Sequence, residues 1–124
     1  MKAYIIYQSN NKASVDATLA TEATLVSSDV ELTRFEATTP ENLHEHVNEH
    51  FPAIQYTYPP QGKTIIHEET GLKLSGYHTT DIAKKFACTI SHARLWKKCV
   101  ELDEDIMILE HDAYFTRPFY EFDW

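Results

Sequence analysis

The apolar run Ile106-Met107-Ile108-Leu109 passes directly into Glu110-His111-Asp112, so two carboxylates flank an imidazole at the end of an apolar segment. In an extended chain successive side chains alternate, which sends Glu110 and Asp112 to one side and His111 to the other. Two carboxylates on one side make a hard oxygen-donor pair suited to Mg²⁺ or Mn²⁺, ions that often accompany a diphosphate. The competing reading is a strand that simply exits into solvent, because acidic strand ends are common.

A second constellation, His46-Val47-Asn48-Glu49-His50, matches the H-x-x-E-H pattern of one metalloprotease class, and histidines four apart share a helix face. With seven histidines in the chain such a pattern arises readily by chance, a third protein ligand is not identifiable, and Phe51-Pro52 ends the helix at once. A solvated helix face is the expectation here, with a histidine-based zinc enzyme as the outlying alternative. Cys88 and His92 are also four apart, but Cys88 sits inside an amphipathic segment beside Phe86 and Ile90, which favours packing over catalysis. Ser91 and His92 are adjacent and diverge by about 100° on a helix, so they do not form a hydrolase pair by themselves. With three glycines and no G-x-G-x-x-G or phosphate loop, neither a Rossmann dehydrogenase nor a P-loop enzyme is supported.

The elements that must position these residues follow from periodicity. Lys2 to Tyr7 is a β-rich apolar run closed by Gln8, Ser9, Asn10 and Asn11, and reads as a first strand. Ala13, Ala17, Leu19, Ala20, Ala23 and Leu25 suggest a helix diluted by threonines and ending near Ser27 and Ser28. Val30 to Phe35 reads as a second strand, and Thr39-Pro40-Glu41 as the start of a helix running to about His50, with Pro40 in its first turn. Prolines and glycines then break the pattern, so an irregular loop region, mobile or ligand-facing, is expected over about 51–79, with short β-like pieces such as Ile54 to Tyr58.

From about Thr80 to Leu102 two apolar stripes, one through Ile82, Phe86, Ile90, Ala93 and Val100 and one through Cys88, Leu95, Cys99 and Leu102, predict a helix buried on much of its girth. The uninterrupted run Ile106 to Leu109 predicts a strand covered on both faces of a parallel sheet. This order of strands and helices is that of an α/β domain with right-handed crossovers. Ligands of such open sheets bind beyond the carboxyl ends of the strands, which is where Glu110 and Asp112 fall.

At 124 residues a single domain over 1–124 is expected. With 19 acidic against 11 basic side chains the net charge is −8, which argues against nucleic acid as a partner. Apolar runs fall well short of the roughly 18 residues of a membrane-spanning helix, and Met1 to Asn10 lacks the features of a signal peptide. Cys88 and Cys99, eleven positions apart on one helix, lie about 16 Å apart along its axis, beyond the roughly 7 Å reach of a disulfide. Both are read as thiols in a cytoplasmic protein. Phe115, Phe119, Tyr120, Phe122 and Trp124 concentrate aromatic surface at the chain end, which folds back on its own core or forms a homodimer interface over Phe115–Trp124.

Ala87-Cys88-Thr89-Ile90-Ser91-His92, then Leu95-Trp96, then Ile108-Leu109-Glu110-His111-Asp112-Ala113 with Phe115, resembles the signature of glycosyltransferase family 25, the lipooligosaccharide-biosynthesis sugar transferases. That signature reads Gly-Cys-x-x-Ser-His, a tryptophan four residues on, and Ile-Leu-Glu-Asp-Asp with a phenylalanine shortly after. The likeness covers roughly residues 86 to 119, with Ala87 in place of the glycine and His111 in place of the central aspartate. It implies a GT-A-like nucleotide-diphospho-sugar transferase fold, a three-layer α/β/α arrangement with a mostly parallel sheet. It further implies a divalent cation, Mn²⁺ or Mg²⁺, held by Asp112 and Glu110, with Glu110, His111, Ser91 and His92 toward the nucleotide.

The expected function is metal-dependent transfer of a sugar from a nucleotide-sugar donor, a UDP-sugar, to a saccharide acceptor, with the catalytic base unassigned. Because the chain stops twelve residues after Asp112, only the N-terminal, nucleotide-sugar-binding half of such an enzyme is expected. The alternative is a non-catalytic binding or assembly module of the same fold that dimerises through its aromatic C-terminal tail.

Overall fold

Four β-prone residues, Tyr4, Ile5, Ile6 and Tyr7, carry the six-residue segment Lys2–Tyr7 into β1, the central strand of a three-stranded parallel sheet. The structure, a computed structural model, describes residues 1–25, 29–55, 63–76 and 81–118. The remaining elements are α1 (Lys12–Thr24), β2 (Glu31–Glu36), α2 (Leu43–His50), β3 (Thr64–Ile66), β4 (Lys73–Ser75), α3 (Ile82–Leu102) and β5 (Ile106–Glu110). The α/β class and the parallel sheet agree with the sequence expectation. No helix among the described residues is long and apolar enough to cross a membrane.

The chain divides into two compact units, Met1–Thr38 with the segment from Ser91 onward, and Thr39–Ile90. In the first unit the strand order is β2-β1-β5, with Lys2 to Tyr7 in register with Glu31 to Glu36 and Lys2 to Ile6 in register with Ile106 to Glu110. Tyr4 and Ile6 on one face of β1 gather with Ala37 and with Leu95 of α3, and Phe35, Ile106 and Ile108 pack against this cluster. Alternation turns Ala3 and Ile5, both 0% exposed, to the other face. The chain moves one way across the sheet from β1 to β2 and the other way to reach β5, so right-handed crossovers put α1 and α3 on opposite faces. Burying side chains such as Ile5 and Leu95 contributes about 1.5–3 kcal/mol each.

Expectations about burial are corrected in β5 and α3, and α1 buries a face that its apolar residues did not indicate. The strand covered on both faces is β1; β5 lies at the edge of the described sheet and Ile106 to Leu109 are only half-buried. In α1 the buried residues are Ser14, Thr18 and Thr21, whereas Leu19 is exposed, so the threonines form the packed face and the alanines do not. In α3 the buried residues are Ala87, Ile90, Ser91 and Leu95, a single stripe, while Ile82, Trp96 and Val100 are exposed. Cys88, one position off that stripe, is exposed rather than packed. Both cysteines are thiols, and Cys99 Sγ donates to the Glu104 carbonyl at 3.1 Å.

In the second unit, Pro40 to Asn42 form a turn ahead of α2 rather than its first turn, because Asn42 Oδ1 accepts the Thr39 N–H at 2.7 Å and closes the loop there. The region expected to be irregular contains an antiparallel hairpin, β3 paired with β4, which the proline and glycine spacing concealed. Gly71 takes φ +68° in the connection, and its N–H donates to the His67 carbonyl at 2.8 Å. The first turn of α3 is capped by Asp81, whose Oδ1 accepts the Lys84 N–H at 3.0 Å, and this bond holds the Asp81 carboxyl below its usual range. Ile54 and Gln55 are not part of a strand. The expected features at Ser27–Ser28, Tyr56–Tyr58 and Tyr77–Thr80, and most of the aromatic tail from Phe119 to Trp124, lie outside the described residues.

Candidate functional site

Strand β5 stops at Glu110, the last residue in register with β1, because the chain turns immediately afterwards. The Ala113 N–H donates to the Glu110 carbonyl at 3.1 Å, so His111 and Asp112 occupy the centre of a turn. The alternation argument for a shared side therefore does not hold: Glu110 closes the strand, and Asp112 belongs to the turn. Both are exposed, and His111 is half-buried.

What holds this turn comes from α1. The Thr21 hydroxyl lies 2.6 Å from the Ala113 carbonyl, 2.8 Å from the His111 carbonyl and 3.2 Å from the Ala17 carbonyl. Its one proton serves one of these at a time, the shortest reaching across 92 residues. Thr24 Oγ1 accepts the Phe115 N–H at 3.2 Å and donates to the Thr21 carbonyl at 2.8 Å. Two hydroxyls three residues apart on one helix face thus grip the backbone of 111–115. The helix is itself fixed: Asn11 Oδ1 caps it by accepting from the Ala13 and Ser14 N–H groups, and Ser14 Oγ accepts the Gln8 N–H at 2.9 Å. Next to Thr21, Glu22 forms a two-pronged pair with Arg34 of β2, Nε to Oε1 2.6 Å and Nη2 to Oε2 2.7 Å. That guanidinium holds the Glu22 carboxyl below its usual range.

The other partner of the turn is α3. His92 Nε2 lies 3.3 Å from Glu110 Oε1, an ion pair whenever the imidazole is protonated. The His92 ring sits 6.4 Å from that of Trp96, which is 57% exposed beside it. Ser91 points elsewhere. It is 1% exposed, and its Oγ accepts the Thr38 N–H at 2.8 Å, tying α3 to the exit of β2. Arg94 reinforces that tie through Nη1, 3.2 Å from the Glu36 carbonyl and 3.1 Å from Thr38 Oγ1, with its guanidinium 4.7 Å over the Phe35 ring.

The structure thus brings Glu110 and His92 together, sets Asp112 and His111 in one hydroxyl-gripped turn, and gives Ser91 to the backbone of Thr38. A surface depression of about 380 Å³, lined by Cys99, Val100, Asp103, Glu104 and Asp105, lies at the amino end of β5. It is therefore at the wrong edge of the sheet for the carboxylates of Glu110 and Asp112. The residues that sequence reasoning missed are Thr21 and Thr24. The spacing Ser14, Thr18, Thr21 places these three on one helix face, but hydroxyl residues read in the sequence as readily solvated as buried.

The model of glycosyltransferase family 25 (LPS biosynthesis protein) matches residues 18–122, most of the chain, including Thr21, Thr24, Ser91, His92 and the turn Glu110–Ala113. The chain belongs to glycosyltransferase family 25. The family's chemistry is sugar transfer, which implies a nucleotide-sugar donor and a saccharide acceptor. No curated protein and no solved structure matches the chain. Within the family frame, α1 supplies the grip on the acidic turn, β5 delivers it to the sheet edge, and α3 presents His92 to it.

Proposed function

We propose that this family 25 glycosyltransferase chain binds a nucleotide-sugar donor at the turn Glu110-His111-Asp112 with the help of Mn²⁺ or Mg²⁺, for transfer to a saccharide acceptor. The reading is carried by the turn itself, two exposed carboxylates at the carboxyl edge of a parallel sheet, gripped by Thr21 and Thr24. The donor set fits the ion: Asp112 and Glu110 are oxygen ligands, the class that Mn²⁺ and Mg²⁺ prefer. When bound, such a cation stabilises the negative charge that develops on the departing nucleoside diphosphate.

The chain's own residues do the rest. His92 orients the Glu110 carboxylate through the 3.3 Å contact. Ser91 keeps α3 against the β2 exit and so fixes where His92 stands. His111, half-buried at the centre of the turn, is next to both carboxylates in sequence and faces the nucleotide in this proposal. No residue is assigned as the catalytic base.

Titration calorimetry with a UDP-sugar and Mn²⁺ tests this. Binding that requires the metal and is abolished by Asp112→Ala is the expected result. Equal binding by wild type and Asp112→Ala, or binding indifferent to chelator, rejects the donor site.

A further inference from the structure

The Thr39–Ile90 unit carries a second group of donor side chains that the donor site does not use, at the carboxyl end of α2. His46 and His50, four residues apart, have stacked rings with centroids 6.0 Å apart and planes 9° from parallel. Glu49 Oε2 lies 3.6 Å from His50 Nε2, and one ligand atom from each of His46, Glu49 and His50 falls within 4.8 Å of the others. The 3.6 Å separation exceeds the 2.7–3.2 Å of a good N–H···O bond. It is close to the roughly 3.4 Å between two ligands that each sit about 2.0–2.1 Å from one tetrahedral ion. We infer that His46, Glu49 and His50 form a binding site for a borderline transition-metal ion, Zn²⁺ foremost, with the fourth position left to water.

Three further features favour that occupant. Two imidazoles and one carboxylate suit Zn²⁺, whereas the all-oxygen set at Glu110 and Asp112 suits harder ions. The carboxyl end of α2 carries the partial negative charge of the helix dipole, which attracts a cation. Both histidines are half-buried, not solvated as the sequence suggested, and the His50 ring is braced edge-on by Phe51 at 6.1 Å, so less side-chain freedom is lost on binding. The neighbouring His44 belongs to another face, its Nδ1 3.0 Å from Asn48 Nδ2.

The test titrates the metal-free full chain with ZnCl₂ in the absence of nucleotide, with Co²⁺ absorption as a report of tetrahedral geometry. One equivalent is expected. His46→Ala and His50→Ala should each weaken it by at least the roughly tenfold that loss of even an outer-shell partner costs. Glu49→Gln should weaken it too, and Asp112→Ala should leave it unchanged, which separates this site from the donor site. If His46→Ala loses its helical circular dichroism, the exposed Glu49→Gln and the conservative His50→Asn decide by the same criterion. Absence of stoichiometric Zn²⁺ binding in wild type overturns the site, as does full affinity in the folded histidine variants or loss of affinity in Asp112→Ala instead.

Discussion

The turn Glu110–Ala113 and the last turn of α2 both set a carboxylate beside an imidazole, yet they are assembled in opposite ways. At α2 helical spacing alone brings His46, Glu49 and His50 together, all within five residues. At the acidic turn the partners come from far along the chain: Thr21 and Thr24 hold its backbone from about ninety residues away, and His92 meets Glu110 from another helix. A locally built constellation persists wherever its helix forms. One built over long range exists only while the sheet and both of its helices are in place, and it fails when a single clamp is removed.

The largest effect should therefore come from Thr21→Val, which keeps the shape and removes the proton. The His111 and Ala113 carbonyls lose their donor, and a loss of up to about 3 kcal/mol is expected in denaturant unfolding, together with loss of UDP-sugar binding. The matching Thr18→Val should cost less than about 1 kcal/mol, since that hydroxyl bonds only its own helix at the Ser14 carbonyl. Equal costs for the two would erase the distinction between clamp and filler.

Next in size, Ser91→Ala strands the Thr38 N–H, and a destabilisation of about 1–2 kcal/mol is expected. Zn²⁺ affinity at His46 and His50 should be unchanged in the same variant, measured where it is fully folded. A weakened zinc site there would show that the α2 constellation is not local after all.

The smallest effect concerns the Glu22–Arg34 pair. Arg34 holds the folded Glu22 pKa below its ordinary 4.5, so the pair's contribution is fully present above that value and is lost as pH falls through the lower folded value. The melting-temperature gap between wild type and Glu22→Gln should be a degree or so at pH 7, shrink with salt, and close as the pH falls through the lowered folded value. A gap that persists at acid pH would assign it to packing rather than charge.

Much of the fold was legible because short-range patterns carry it. Lys2–Tyr7 announced β1 with its exact limits, and β5 and α3 were found to within a residue or two. Helix α1 was legible, but its packed face was not, because a buried hydroxyl bonded to a carbonyl looks in the sequence like a solvated one. The Glu110–Asp112 pair stands out in the sequence, but its geometry is not that of strand alternation. The strand ends one residue later than the apolar run, and a turn follows that no period signals.

Residue order by itself determined the α/β succession, the helical pairing of His46 with His50, and the delivery of Glu110 and Asp112 to the end of a strand. Each of these depends on neighbours within one or two turns of chain. Only the tertiary structure decided that β1 and not β5 lies at the centre, that Thr21 and Thr24 grip the acidic turn, that Ser91 serves Thr38, and that His92 answers Glu110. Those choices rest on hydrogen bonds and contacts of about 3 Å between segments far apart along the chain, and periodicity carries no information at that range.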